Sequence, residues 1–199
     1  PGQWTSAFPS WESLPSHLRV KERGLVWNEG WITPTLGAST IVLSNQKIEG
    51  RNWGIRAKFR SDGKDPKMIQ ANVRNVTDNG VTKLYAIGMG DTGSACLGVF
   101  NQKDKKPSNA DYKMLAVDEG LKYPKEGDVF EMELIAIGSR LFGRFNGRQL
   151  KPVEDTNLAS GMVSIFTHVP VRDIEVINLD GVGEAEALKA VGGSGDNAP

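Results

Sequence analysis

Hydrophobic and polar positions alternate along most of the chain. From 52 to 60, Trp53, Ile55, Ala57 and Phe59 share one side, while Arg56, Lys58 and Arg60 share the other. That period of two is the mark of a half-buried strand. The same pattern predicts strands over 67–76, 81–89, 95–100, 112–117, 129–137, 139–146, 162–168 and 172–179. Turn formers separate them: Asp62-Gly63, Asp78-Asn79-Gly80, Asp91-Thr92-Gly93, Gly120, Gly127 and Asn146-Gly147. The last pair tolerates the positive φ that a type I′ hairpin turn needs at both central positions. Strands about ten residues apart, with no long amphipathic helix between them, predict an all-β antiparallel two-sheet sandwich of the jelly-roll kind.

The two ends read differently. Residues 1–18 hold Trp4, Phe8, Trp11 and Leu14 among Pro and Ser, which fits an irregular N-terminal cap on a sandwich spanning 19–181. Residues 182–199 read as linker or disordered tail, with a brief helix over Glu184–Ala190. With no initiator Met and no signal peptide, the sequence reads as a piece of a longer protein.

Composition narrows the partners. The 199 residues are 39% hydrophobic, with 24 basic against 24 acidic side chains. These values exclude a disordered or collagen-like chain, and zero net charge argues against a nucleic-acid partner. Lys103, Lys105 and Lys106 are interrupted by Asp104 and lack interleaved aromatics, as a solvated loop would. The lone Cys96 forbids an intrachain disulfide. No apolar run reaches the roughly 18 residues that span a bilayer, so direct membrane insertion of this domain is not expected.

Candidate chemistry is sparse. Gly88-Met-Gly90-Asp-Thr-Gly93 spells the dinucleotide fingerprint but runs into a second strand, leaving no helix N-terminus for a pyrophosphate; it reads as a hairpin turn. Glu131 and Glu133 share one face of a strand, as paired carboxylates of a glycosidase would, and equally as a solvated face would. His168 is a candidate general base, or a strand-end histidine that caps a loop. Asn75-Val-Thr77 is a glycosylation sequon by pattern. If Ile69, Ala71 and Val73 face inward, then Gln70, Asn72 and Arg74 face outward together. Tyr85, Phe142 and Arg144 would complete a concave surface of amide, guanidinium and aromatic groups, the chemistry that recognises a pyranose, with Arg56 and Lys58 at its margin. Trp27, Trp31 and Trp53 read as core or edge packing.

One resemblance bears on these residues. The segments Gly161-Met-Val-Ser-Ile-Phe-Thr-His168 and Val171-Arg-Asp-Ile-Glu-Val-Ile-Asn-Leu179, with Asn146-Gly147 and Tyr85 to Asp91, resemble the concanavalin A-like (laminin G-like) jelly rolls. They are similar to the 3-keto-disaccharide hydrolase domain family and to lectin-like domains appended to bacterial Ser/Thr kinases. Ala86 and Phe166 depart from the hydrolase pattern, which tends to have Glu and Gln there. The resemblance implies a non-catalytic, lectin-like glycan-binding or sensing module of a larger bacterial protein, placed outside the cytoplasm. The alternatives it leaves are a glycoside-modifying hydrolase using His168 with Asp91 or Glu133, and a structural domain that binds a protein partner. No cofactor is expected, save a structural Ca²⁺ on Asp91 or Asp118, as such sandwiches sometimes carry.

Overall fold

The computed structural model describes residues 2–8, 10, 13, 24–35, 39–42, 49–64, 69–90, 93–103 and 111–190. In chain order its strands are β1 (Trp4–Ser6), β2 (Leu25–Asn28), β3 (Trp31–Pro34), β4 (Ser39–Val42), β5 (Glu49–Gly50), β6 (Trp53–Arg60), β7 (Gln70–Asp78) and β8 (Val81–Met89). They continue as β9 (Ser94–Asn101), β10 (Tyr112–Lys122), β11 (Val129–Ile137), β12 (Arg140–Phe145), β13 (Arg148–Gln149), β14 (Val153–Glu154), β15 (Gly161–Thr167) and β16 (Val171–Asn178), followed by helix α1 (Glu184–Ala190).

Two antiparallel sheets face each other. Sheet A runs β13-β12-β11-β6-β16-β3-β2, with β1 on β16 and β14 on β12; sheet B runs β10-β9-β8-β7-β15-β4, with β5 on β15. The expected sandwich is therefore present, and the alternation explains it. Tyr85, Ile87 and Met89 of β8 point inward, as do Ala95, Leu97 and Val99 of β9 and Met132, Leu134 and Ala136 of β11, forming one core cluster. At its centre Phe130 stacks between Phe59 and Phe145, with ring centroids 5.5 and 5.4 Å away.

The run Leu134-Ile135-Ala136-Ile137 breaks the alternation because both faces of sheet A are covered there. Ile135, Ile137, Ile177 and Leu179 form a second cluster on the outer face, under Ala187 of α1, with Trp4, Phe142 and Val182 against it. The brief helix thus packs on the sandwich instead of trailing from it, and residues 191–199 lie outside the described set.

In the glycine-rich stretch Gly90 N–H donates to Ser94 O and Gly93 N–H to Gly90 O, and β9 pairs antiparallel with β8 directly after it, with Asp91 and Thr92 outside the described residues. Asn146 and Gly147 have φ of 49° and 77°, as the type I′ turn requires. Glu29-Gly30, between β2 and β3, makes the same turn with φ of 49° and 79°.

Candidate functional site

A β-bulge rearranges the row expected to bind sugar. The register of β7 shifts between Val73 and Val76 against β8 and between Asn72 and Asn75 against β15, where Arg74 takes a left-handed φ of 53°. This corrects the expectation that Gln70, Asn72 and Arg74 face outward together. Arg74 is 3% exposed, and its guanidinium donates to three backbone carbonyls: Arg51 O (2.7 and 3.1 Å), Leu158 O (2.7 Å) and Gly138 O (2.5 Å). Burial lowers its pKa, opposed by the nearby Tyr85 and Asp180. Such a fork ties three loops together and leaves little for a ligand.

Tyr85 points into the core; its hydroxyl donates to Asp155 Oδ1 and accepts from Leu158 N–H at 3.0 Å. Burial and the Asp155 bond push the phenol up to about 12. Asn72 is buried on the outer side of sheet B, where it and Asn75 both donate to Ser164 Oγ (3.2 and 2.9 Å). Gln70, half-buried, begins the same strand.

Phe142 and Arg144 lie on the outer face of sheet A, the opposite side of the sandwich from Asn72. The six residues therefore do not assemble one concave surface. Arg144 Nη1 donates to Glu133 Oε1 at 2.6 Å, and Arg56 Nε to Glu175 Oε2 at 2.6 Å. Glu133 pairs in register with Arg144 on one side and Arg56 on the other, and Glu131 lies beside Lys58. Burial raises the Glu133 carboxyl above its ordinary value, with Arg144 pulling the other way. The two glutamates do share a face as predicted, within a ladder of charges.

His168 and Glu133, of the enzyme-type residues, have separate partners. His168 Nε2 lies 3.3 Å from Asp62 Oδ2, whose Oδ1 accepts from Tyr123 O–H at 2.9 Å. The buried His168 Nδ1 has no partner. Glu133 is bound to Arg144 as above, and Asp91 lies outside the described residues. Asp118 is bonded to Arg148 (3.0 Å) and to Gly120 N–H (2.9 Å). Among the described residues no group of three or more His, Cys, Asp or Glu converges to hold a metal ion, and no helix is long and apolar enough to cross a membrane.

A cleft of about 210 Å³ opens at the edge of sheet A, lined by Phe8, Trp27, Ile32, Ile174, Ser6, Gly30, Arg172 and Asp173. Its polar wall comes from a second bulge. Val171 and Ile174 of β16 both point into the core, so the two residues between them must be accommodated on the outer side. The register shifts between Arg172 and Glu175, and Asp173 takes a φ of 48°. A guanidinium and a carboxylate that regular pleating would send to opposite faces thus line one cleft. Lys58 Nζ holds the Asp173 carboxylate at 3.1 Å, and the guanidinium of Arg172 lies 4.4 Å from the centroid of the Trp31 ring.

Sequence reasoning missed this cleft. The short β2–β3 hairpin carries little periodic signal, and the three-residue spacing from Val171 to Ile174 was the available mark of the bulge. Trp31, 4% exposed, and Trp53, whose Nε1 donates to Asp180 Oδ2 at 3.0 Å, are packing residues as read; Trp27 is half-buried at the cleft.

No protein-family model matches the chain, and no curated protein matches it in sequence. Solved structures do match in shape. A carbohydrate-binding module from Bacillus subtilis superposes with a TM-score of 0.56 at 11% identity, covering 88% of this chain and 95% of that one. A Parabacteroides distasonis protein provisionally assigned as a glycosyl hydrolase gives 0.51 at 14% identity, over 89% and 100%. An alginate lyase gives 0.50 at 12%, over 80% and 85%. At these identities the likeness is one of fold: the chain has the concanavalin A-like jelly-roll architecture that its sequence resembles.

Proposed function

We propose that this domain is a non-catalytic glycan-binding module, part of a larger extracytoplasmic protein, and that it takes its ligand in the cleft beside β16. The observation that carries this reading is the β16 bulge, which sets Arg172 and Asp173 side by side next to Trp27 and Phe8. An aromatic plane covers the C–H face of a pyranose, and a fixed donor and acceptor read its hydroxyls. Backbone in the left-handed region costs an Asp of order 1–3 kcal/mol and tends to persist where a site needs it. The likeness in fold to a carbohydrate-binding module agrees with this use of the scaffold.

The test is an oligosaccharide panel followed by calorimetry on Trp27→Ala and Asp173→Asn. Asn tolerates positive φ, so that variant keeps the bulge. Weakened binding by both variants, with unchanged melting temperature, is expected; undiminished binding would move the site elsewhere.

A hydrolase is the second reading, favoured by His168, Asp62 and Tyr123 meeting in one loop cluster. Turnover of a 3-keto-glycoside that disappears in His168→Ala would establish it.

A further inference from the structure

Four of the arginines on sheet A differ in their partners. Arg56 and Arg144 each place a guanidinium nitrogen 2.6 Å from a carboxylate oxygen. Arg56 also lies over Trp4, at 4.4 Å, while keeping its carboxylate; Arg60 and Arg172 share one indole, each with its guanidinium carbon 4.4 Å from the centroid of the Trp31 ring, and neither has a hydrogen-bonded carboxylate among the described residues. Stacking engages the flat face of a guanidinium and leaves the in-plane N–H edge unused. Among the described residues Arg172 forms an ion pair with Asp173, Oδ2 to Nε 3.7 Å, which is too long for a hydrogen bond. That Nε is buried with no hydrogen-bond partner. Asp173 is shared with Lys58, whose Nζ lies closer, at 3.1 Å.

The outcome is two positive charges gathered on one ring, with no hydrogen-bonded carboxylate on Arg172, at the rim of a cleft that Arg172 itself lines. The other outer-face pairs show how readily this surface supplies a carboxylate where one is wanted. We propose that a hydrogen-bonded counter-charge for Arg172 comes with the ligand: the cleft takes an anionic sugar, whose carboxylate or sulfate ester docks on the terminal N–H groups of Arg172, with Arg60 adding to the field. Planar bidentate recognition of such groups is what a guanidinium does best. Asp173, held by Lys58, then accepts from sugar hydroxyls, and Trp27 covers the ring. The inference rests on the glycan reading of the cleft and specifies its substrate class.

The experiment measures binding of carboxylated oligosaccharides, each beside its neutral methyl ester, and of sulfated oligosaccharides beside their desulfated forms. Acidic forms should bind about tenfold or more tightly than their neutral counterparts, a difference of one decade in Kd, and the preference should weaken with added salt. Arg172→Gln should abolish the preference while leaving residual binding through Trp27. Arg172→Lys, which keeps the charge but not the stacked fork, should retain only part of it. Preference for carboxylated over sulfated sugars, or the reverse, identifies the acid group. Equal binding of charged and neutral forms would overturn the anion proposal and leave the glycan reading intact. Folded protein that binds no member of the panel would remove both.

Discussion

No side chain fits between Gly161 and Arg74. A Cβ built on Gly161 would lie 2.5 Å from the carbonyl carbon of Arg74 and 2.8 Å from its Cα and O. The β7 bulge and the glycine are therefore one device, which aims the Arg74 guanidinium at the carbonyls of Arg51, Leu158 and Gly138. Gly161→Ala should cost roughly 1–3 kcal/mol, as overpacking does. Arg74→Lys should cost a similar amount, because a point-like ammonium cannot serve three carbonyls that a planar fork reaches together. Urea midpoints check both; a Gly161→Ala protein as stable as the parent would contradict the close packing.

Tyr85→Phe removes a hydroxyl that serves Asp155 and Leu158 N–H, and should lower stability by about 1–2 kcal/mol. The variant also tests a pH effect. With the phenol at about 12 in the folded protein against 10.0 ordinarily, its proton stabilises the fold fully below about 10. That contribution is lost as pH rises towards 12. The parent should thus lose stability across this alkaline window more steeply than Tyr85→Phe; parallel alkaline unfolding curves would refute the assignment.

Glu133 and Arg144 give the acid-side counterpart. The Glu133 carboxyl is raised by burial above 4.5, so the folded state holds that proton more tightly than the unfolded chain. Stability conferred by this group is present at low pH and is lost as pH rises through the raised value. Glu133→Gln should be well tolerated at neutral pH and should remove that part of the pH dependence. Arg144→Met leaves the carboxylate buried without its partner and should cost roughly 2–3 kcal/mol at neutral pH. Its cost should shrink in acid, where Glu133 takes up a proton; denaturation series at two pH values distinguish these outcomes.

Most of the fold was legible in the alternation of residues. β8 and β11 have the predicted bounds, and the Asn146-Gly147 turn and helix α1 stand where propensity placed them. Periodicity works there because a regular pleat converts sequence position directly into a face. The site was not legible for the same reason. Both bulges insert a residue in left-handed conformation, at Arg74 and at Asp173, so every side chain beyond them is assigned to the wrong face by a count of two. Arg74, a solvent-facing ligand residue by that count, is an internal clamp; Arg172 and Asp173, by the same count, are only part of a closing strand. The Phe142 and Arg144 pairing with Asn72 failed on topology, since alternation specifies a face but not which sheet carries it.

The position of Trp31 has a practical consequence. Indole emission responds to nearby charge, and this ring has two cations within 4.4 Å of its centroid. Any occupant that draws Arg172 away from the ring changes the light it emits. Trp31, one of the five tryptophans of the chain, thus has an emission that should report on the cleft.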